Sequence, residues 1–197
     1  SLNLGLLFAR NYDYITAERY FTEGLQLSID QKSKSNEAYA YQFIGYGQQQ
    51  KLEFDEAFTS FQRAINIYDS LGEKSKLSNL YNNLGHTVQS KGEFEAAIGY
   101  YQKSNALAYE IKNMADVANV LQFISFAYAI SGNPKKSLQA ADSCLAIYRE
   151  LKNNWQMANA YLTLGNAYNS ISDYHEAVKY YLFADSLYII EKDDWSR

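Results

Sequence analysis

Leu84-Gly85-His86 is one copy of a tripeptide that returns at regular intervals along the chain. Its other copies are Ile44-Gly45-Tyr46, Ile124-Ser125-Phe126 and Leu164-Gly165-Asn166, with an earlier one at Leu4-Gly5-Leu6. Successive copies lie forty residues apart. A fixed period of about 20 to 50 residues is typical of proteins that stack one supersecondary unit. The sequence therefore predicts an array of repeats, which offers an extended surface for partners more often than a catalytic pocket.

Around Gly85, apolar residues recur at steps of three and four. They are Leu77, Leu80, Tyr81, Leu84 and Val88. This spacing predicts an amphipathic α-helix, which we call helix A. Lys91-Gly92-Glu93 interrupts the pattern, and a second stripe predicts helix B, which ends near Ile111. The second stripe consists of Phe94, Ala97, Ile98, Tyr101, Ser104 and Ala108. Each repeat is therefore predicted to be a helical hairpin.

The composition favours an all-α fold. The chain has one proline and ten glycines among 197 residues, so the usual residues of loops are scarce. Its 47% apolar and 20% charged residues match ordinary globular usage. Cys144 is the single cysteine and occupies a position where other repeats have Gly, Ala or Ser, so we interpret it as a small buried residue.

Glycine inside helix A needs an explanation, because it costs roughly 1 kcal/mol relative to alanine in a helix. Close helix contact is one, since helix B has small residues at fixed places in each repeat. They are Ala17, Ala57, Ala97, Ser137 and Ala177, then Gly24, Ala64, Ser104, Cys144 and Ala184. Between them lies a large ring in most copies: Phe21, Phe61, Tyr101 and Tyr181. Repeat four has Ala141 at that position.

These residues resemble the tetratricopeptide repeat (TPR). In repeat three the matching order is Tyr81, Leu84-Gly85, Gly92-Glu93-Phe94, Ala97, Tyr101 and Ser104. The resemblance covers essentially the whole chain and implies a right-handed superhelical solenoid. The 40-residue period departs from the usual 34 residues. In this longer period the chain is similar to the TPR arrays of spindle adaptors, kinesin light chains and bacterial signalling regulators. Repeat four also departs, with Ser125 and Pro134, which suggests looser packing there.

The chain is thus predicted to be a single TPR array. Its segments are about 1–33 (partial repeat 1), 34–74, 75–114, 115–154, 155–194, and 195–197 as the start of a further helix. We expect the chain to be part of a longer array whose uncapped terminal repeats self-associate.

A second stripe on helix A is rich in amides and aromatics, and the family resemblance implies that it lines a concave groove. We call this set the A face. Its residues are Tyr39, Gln42, Phe43, Tyr46, Asn79, Asn82, Asn83, His86, Gln89, Asn119, Gln122, Phe123, Phe126, Asn159, Thr163, Asn166 and Asn169. Asn79, Asn119 and Asn159 occupy the same position in three successive repeats.

Amide side chains both donate and accept hydrogen bonds, so they match the backbone of an extended peptide whatever its side chains. Aromatics between them can hold apolar side chains. At any single position, an exposed asparagine is also what a solvated helix surface carries. Some TPR proteins clamp a terminal carboxylate with cationic residues, but this stripe has no lysine and only Arg10 at its N-terminal end, which disfavours such a clamp.

Other function classes lack a signal in the sequence. The net charge is −4 with mixed signs, so no basic face predicts nucleic-acid binding. No apolar run is long enough to span a membrane. His86 and His175 have no catalytic partners at helical spacing, and no metal-ligand cluster, phosphate loop or cofactor motif is found. We expect no enzyme activity, no metal and no cofactor.

We therefore predict a non-enzymatic protein-interaction module that binds an extended peptide or partner protein in its concave groove. The alternative is the sensory or regulatory region of a longer bacterial signalling protein, such as a sensor histidine kinase or a helix-turn-helix transcription regulator. A phosphatase acting on response regulators would need a catalytic helical bundle. With no targeting segment in the sequence, cytoplasm and periplasm both stay open.

Overall fold

A computed structural model describes the backbone of residues 2–195 and the side chains of residues 2–189. Within that part the chain forms ten α-helices and no strand, which confirms the predicted all-α class. The odd-numbered helices are the predicted A helices, and the even-numbered ones are the B helices. They are α1 (Leu2–Arg10), α2 (Tyr14–Asp30), α3 (Lys34–Gln50), α4 (Phe54–Ser70), α5 (Lys74–Ser90), α6 (Phe94–Glu110), α7 (Met114–Ile130), α8 (Pro134–Glu150), α9 (Asn154–Ser170) and α10 (Tyr174–Trp195).

The 40-residue period follows from helix length. Each of α2 to α9 has 17 residues, and three residues separate consecutive helices. Two such helices and two such turns make one repeat, longer than the common 34-residue form. Helix α10 runs unbroken from Tyr174 to Trp195, across the boundary that we predicted after 194. Residues 196 and 197, where we predicted a further helix, lie outside the described residues.

Every turn between helices has the same backbone form. Its middle residue has positive φ, and the next N–H bonds the carbonyl five residues earlier, as Glu53 does with Gln48 at 2.9 Å. This is the Schellman motif, which satisfies carbonyls at a helix end. Only three of the positive-φ residues are glycine. The full set is Tyr12, Lys32, Leu52, Gly72, Gly92, Lys112, Gly132, Lys152 and Ser172.

The chain forms two compact units, Ser1–Glu93 and Phe94–Arg197. In unit 1, each of the helices α1 to α4 packs on the helix that follows it. Salt bridges join successive repeats at the surface: Lys51 binds Glu18, and Lys91 binds Asp55 at 2.8 Å. Such exposed pairs contribute little each, about 0 to 1 kcal/mol. The buried apolar side chains of unit 1 include Phe21, Phe61 and Leu80.

Unit 2 has a core at the junction of α7, α8 and α9. Its buried residues are Ala118, Ala141, Cys144, Leu145, Tyr148, Ala160, Leu164 and Ala167. Cys144 is a free thiol with no exposed surface, as the sequence predicted. Burial raises the pKa of this thiol to about 12, so it stays protonated at neutral pH. No helix within the described residues combines the length and apolarity needed to cross a bilayer.

The glycines of helix A allow close packing against helix B of the same repeat. A Cβ on Gly45 would lie 2.7 Å from the Phe61 ring, and one on Gly165 would lie 2.4 Å from the Tyr181 ring. Real Cβ atoms essentially never approach that closely. The ring that follows the small residues of helix B thus fills the space that each glycine leaves.

Candidate binding surface on the A helices

The A-face residues differ in how far their side chains reach solvent. Asn79, Asn119, Phe126, Asn166 and Asn169 are exposed. Asn83 is buried, with 8% of its surface exposed. The remainder are partly exposed, namely Tyr39, Gln42, Phe43, Tyr46, Asn82, His86, Gln89, Gln122, Phe123, Asn159 and Thr163. Most of the predicted surface can therefore meet a ligand, although several members already contact their own chain.

In unit 1, aromatic A-face residues pack against helix B. Phe43 of α3 stacks on Phe21 of α2, with ring centroids 5.6 Å apart. Tyr46 meets the edge of Phe61 at 5.5 Å, and Tyr39 meets Phe43 at 4.5 Å. Edge and offset contacts of this kind stabilise aromatic pairs by about 0.5 to 1.5 kcal/mol beyond burial. These rings thus hold α3 against α2 and α4 as well as facing outward.

Two side-chain hydrogen bonds join α3 to α5, and one of them links two A-face residues. Asn83 Nδ2 donates to Tyr46 Oη at 2.8 Å, and Gln49 Nε2 donates to Thr87 Oγ1 at 2.9 Å. Thr87 is fully buried. Buried polar groups need such partners, because an unpaired amide costs about 1 to 3 kcal/mol. The Asn83 amide is therefore engaged within unit 1.

In unit 2, Asn159 and Asn166 accept hydrogen bonds from α10. Tyr188 Oη donates to Asn159 Oδ1 at 2.5 Å, and Tyr181 Oη donates to Asn166 Oδ1 at 2.9 Å. Asn159 Nδ2 donates in turn to Gln156 Oε1 at 3.2 Å. Of the three asparagines at one repeat position, Asn79 of α5 and Asn119 of α7 are exposed, whereas Asn159 is held by its neighbours.

A cavity of about 380 Å³ lies between α7 and α9, and we call it the α7–α9 cavity. Five A-face residues line it: Gln122, Phe126, Thr163, Asn166 and Asn169. The structure adds lining residues that we did not predict, namely Ser125, Ala129, Ile130, Ser137, Ala167 and Ser170. The signal that could have found them is repeat four itself, where Ser125 and Ala141 replace the glycine and the ring of other repeats.

A smaller cavity of about 220 Å³ lies between α1 and α3 in unit 1, the α1–α3 cavity. Phe43 and Tyr46 of the A face line it. The other lining residues are Leu6, Ala9, Arg10, Tyr14, Phe21, Gly47 and Gln50. Volumes of about 300 to 1,000 Å³ are usual for ligand pockets, so the α7–α9 cavity reaches that range and this one does not.

His86 is the one A-face residue that titrates near neutral pH. Burial lowers the pKa of its imidazole, so the side chain is neutral at pH 7. The described side chains hold no group of three His, Cys, Asp or Glu residues that could bind a metal ion. What the surface offers is hydrogen bonding and aromatic contact.

Comparison with solved structures shows the same fold in other proteins. BtubC (BKLC) from P. vanneervenii has a TM-score of 0.86 at 19% identity, over 96% of this chain and 78% of its own. A STAND signal-transduction ATPase with a tetratricopeptide repeat sensor, from Pyrococcus horikoshii, also has a TM-score of 0.86, at 12% identity over 99% of this chain and 30% of its own. A Rap protein complexed with competence and sporulation factor has a TM-score of 0.74, at 14% identity over 98% of this chain and 63% of its own.

Family models give the assignment. Two models of the tetratricopeptide repeat match residues 37–110 and residues 158–188, together more than half of the chain. No curated protein sequence matches. The matched segments contain Gly45, Gly85 and Gly165, whose spacing first indicated the repeat. The chain belongs to the tetratricopeptide repeat family, whose repeats are scaffolds for protein–protein interaction.

Proposed function

We propose that the chain binds extended peptide segments of partner proteins on its A face and catalyses no reaction. The observation that carries this proposal is the α7–α9 cavity, where five A-face residues from two successive A helices converge. All five are uncharged, and they combine amides, a hydroxyl and one exposed ring. Such a lining suits a peptide that presents backbone groups and side chains together.

The exposed asparagines supply the second part of the argument. Asn119 of α7 and Asn169 of α9 are exposed in unit 2, so each can both donate to a peptide carbonyl and accept from a peptide N–H. Asn79 of α5 offers the same groups in unit 1. Because these bonds involve only backbone groups of the ligand, they fix its direction and leave sequence preference to the cavities.

Selection from a random peptide display library tests the proposal. We expect Asn119→Ala combined with Asn169→Ala, two exposed A-face changes within unit 2, to weaken binding of a selected peptide about tenfold, since two hydrogen bonds contribute about 0.5 to 1.5 kcal/mol each. The matched control combines Asn66→Ala and Gln139→Ala, which remove exposed amides from α4 and α8. That control should bind within about twofold of the unmodified chain. Equal affinity of all three proteins, with equal thermal stability, would refute the proposal.

A second candidate function is the sensory or regulatory region of a longer bacterial signalling protein. It is supported by the fold similarity to the repeat sensor of the STAND ATPase, which spans 99% of this chain. The reading frame that encodes the chain tests this candidate. An adjoining kinase or DNA-binding domain supports it, and further repeats alone speak against it.

A further inference from the structure

The two cavities occupy equivalent places in the repeat. Residues that line the α1–α3 cavity have counterparts three repeats later around the α7–α9 cavity, as the pairs Ala9 and Ala129, and Gln50 and Ser170, illustrate. Each cavity lies between two successive A helices of its own unit. Their contents can therefore be compared position by position.

Three aromatic side chains line the α1–α3 cavity, and the residues at the equivalent positions of the α7–α9 cavity are smaller. Phe21, Phe43 and Tyr14 line it, with Phe21 stacked on Phe43. Three repeats later the same positions hold Ala141, Thr163 and Pro134. The cavity volume is about 220 Å³ where the rings are present and about 380 Å³ where they are missing. The larger cavity thus corresponds to an internal aromatic pair that unit 2 lacks at this point.

The loss of the ring is coupled to Ser125. At Gly45 and Gly165 a Cβ would collide with the ring of helix B, so a serine at this position fits without displacing its neighbours only where the ring is absent. Repeat four has Ser125 together with Ala141. Ser125 Oγ donates to the Ser137 carbonyl at 2.9 Å, and both serines are buried. The small side chains that leave this cavity open therefore occur together in repeat four, and two of them are hydrogen-bonded to each other.

We propose that the α7–α9 cavity binds one aromatic side chain of the peptide ligand, tyrosine in preference. The ligand ring would occupy the volume that Phe21 and Phe43 fill in unit 1. An apolar cavity of about 150 Å³ is large enough to hold benzene, so one ring fits in the α7–α9 cavity of about 380 Å³. This inference rests on the proposed peptide-binding function.

The lining explains the preference for tyrosine. Phe126 and Ile130 supply apolar contact for the ring. For its hydroxyl, Asn166 Nδ2 can donate, and Thr163 Oγ1, whose own hydrogen is donated to the Asn159 carbonyl, can accept. None of the lining residues is charged, and Ile130 stands where the α1–α3 cavity has Arg10. A charged side chain would lose hydration without meeting an opposite charge, so we expect lysine and glutamate to bind more weakly than tyrosine.

Titration with p-cresol, the side chain of tyrosine, tests the proposal directly by protein NMR. We expect saturable shifts at Phe126, Thr163 and Asn166. The variant Ser125→Gly with Ala141→Tyr rebuilds the glycine and ring pair of the other repeats, and should bind p-cresol about tenfold more weakly or not at all. Gln139→Ala, an exposed change on α8, is the matched control and should bind as the unmodified chain does.

A second variant and a second probe keep the test valid if the first variant fails to fold. Thr163→Phe introduces the counterpart of Phe43 and should also prevent p-cresol binding. The n-butylammonium ion, the side chain of lysine, should give no saturable shift. Absence of saturable p-cresol shifts in the unmodified chain, or undiminished binding in both filled variants, would overturn the proposal.

Display-selected peptides separate this inference from the function on which it rests. Peptides selected on the unmodified chain should share one aromatic position, which should vanish in selection on the Ser125→Gly, Ala141→Tyr variant. Selected peptides without a shared aromatic residue would refute the cavity proposal and leave the peptide-binding function intact. Saturable p-cresol binding without any selected peptide would refute the function and retain the cavity as an aromatic site.

Discussion

Gly45 and Gly47 lie two residues apart in α3, but only Gly45 is packed closely against another side chain. A Cβ on Gly45 would meet the Phe61 ring at 2.7 Å, whereas a Cβ on Gly47 would meet nothing within 4 Å. Overpacking costs about 1 to 3 kcal/mol, and alanine gains up to about 1 kcal/mol over glycine in a helix. Since the propensity gain offsets part of the overpacking cost, we expect Gly45→Ala to lower the free energy of unfolding by up to about 2 kcal/mol, and Gly47→Ala to raise it by up to about 1 kcal/mol.

Urea denaturation of the two variants measures these changes. Gly47→Ala serves as the control for Gly45→Ala, because both change the propensity of the same helix by the same amount. Equal effects of the two substitutions would contradict the explanation that the recurring glycines of the A helices are required by close packing.

Leu52 adopts the left-handed conformation in the turn between α3 and α4, with φ of 64°. This conformation costs an L-residue with a Cβ about 1 to 2 kcal/mol, and Leu52 is 72% exposed, so little apolar burial offsets that cost. We expect Leu52→Gly to raise the melting temperature, with a gain of about 1 kcal/mol. Gly92→Ala, at φ of 83°, should lower it. A lower melting temperature for Leu52→Gly would contradict this account of the turns.

His86 makes stability depend on pH. Burial lowers its pKa in the folded protein below the ordinary value of 6.5, so the unfolded chain binds the proton more readily. The free energy of unfolding should therefore fall as the pH drops through 6.5 toward the pKa of the folded state, and should be unaffected by His86 above that range. We expect this fall to be smaller in His86→Gln than in the unmodified chain.

Urea denaturation at pH 7.5 and pH 5.5 measures the effect, with His175→Gln as the control because His175 is exposed at the start of α10. An identical change in stability between the two pH values for the unmodified chain and for His86→Gln would show that His86 is not the group responsible.

At the scale of the element, Tyr46 and Asn83 link α3 to α5. Tyr46→Phe keeps the ring but removes the oxygen that accepts from Asn83 Nδ2. We expect a loss of about 1 to 3 kcal/mol, because the amide donor of a buried residue is left unpaired. Tyr41→Phe on the same helix is the control and should change the free energy of unfolding little. A neutral Tyr46→Phe would mean that water replaces the hydroxyl.

The helices themselves could be predicted from the sequence, because apolar spacing and recurring glycines are local signals. The A and B stripes around Gly85 correspond to α5 and α6 within three residues at each end. The turns were harder, because Leu52 and Lys112 adopt positive φ where no glycine marks it. That conformation follows from the Schellman hydrogen bonds and the fixed helix length, which only the packed structure reveals.

The candidate surface was predictable in composition and less so in detail. Repetition at one position identified Asn79, Asn119 and Asn159 together, yet only the fold shows that Tyr188 holds Asn159. The partner lies 29 residues away, on a different helix, so no local pattern could predict it. The enlarged cavity depends likewise on residues from α7, α8 and α9 at once. The substitutions in repeat four were visible, and their consequence was not.

At the scale of the whole molecule, helix A and helix B have divided roles. Helix B supplies the rings and small residues that close each repeat, and helix A carries the uncharged polar and aromatic side chains that face outward. In repeat proteins each repeat contacts mainly the adjacent repeats, so a long ligand can contact successive repeats in order. The A face of each unit is then the place where an extended peptide would lie.

Chemical-shift mapping with a display-selected peptide tests this central claim most directly. On titration into the isotopically labelled chain, the account predicts that perturbed backbone amides cluster on A helices. A peptide bound in unit 2 should give its strongest changes on α7 and α9, at Asn119, Phe126 and Thr163. Perturbations that cluster instead on the exposed sides of α4, α6 and α8 would contradict it.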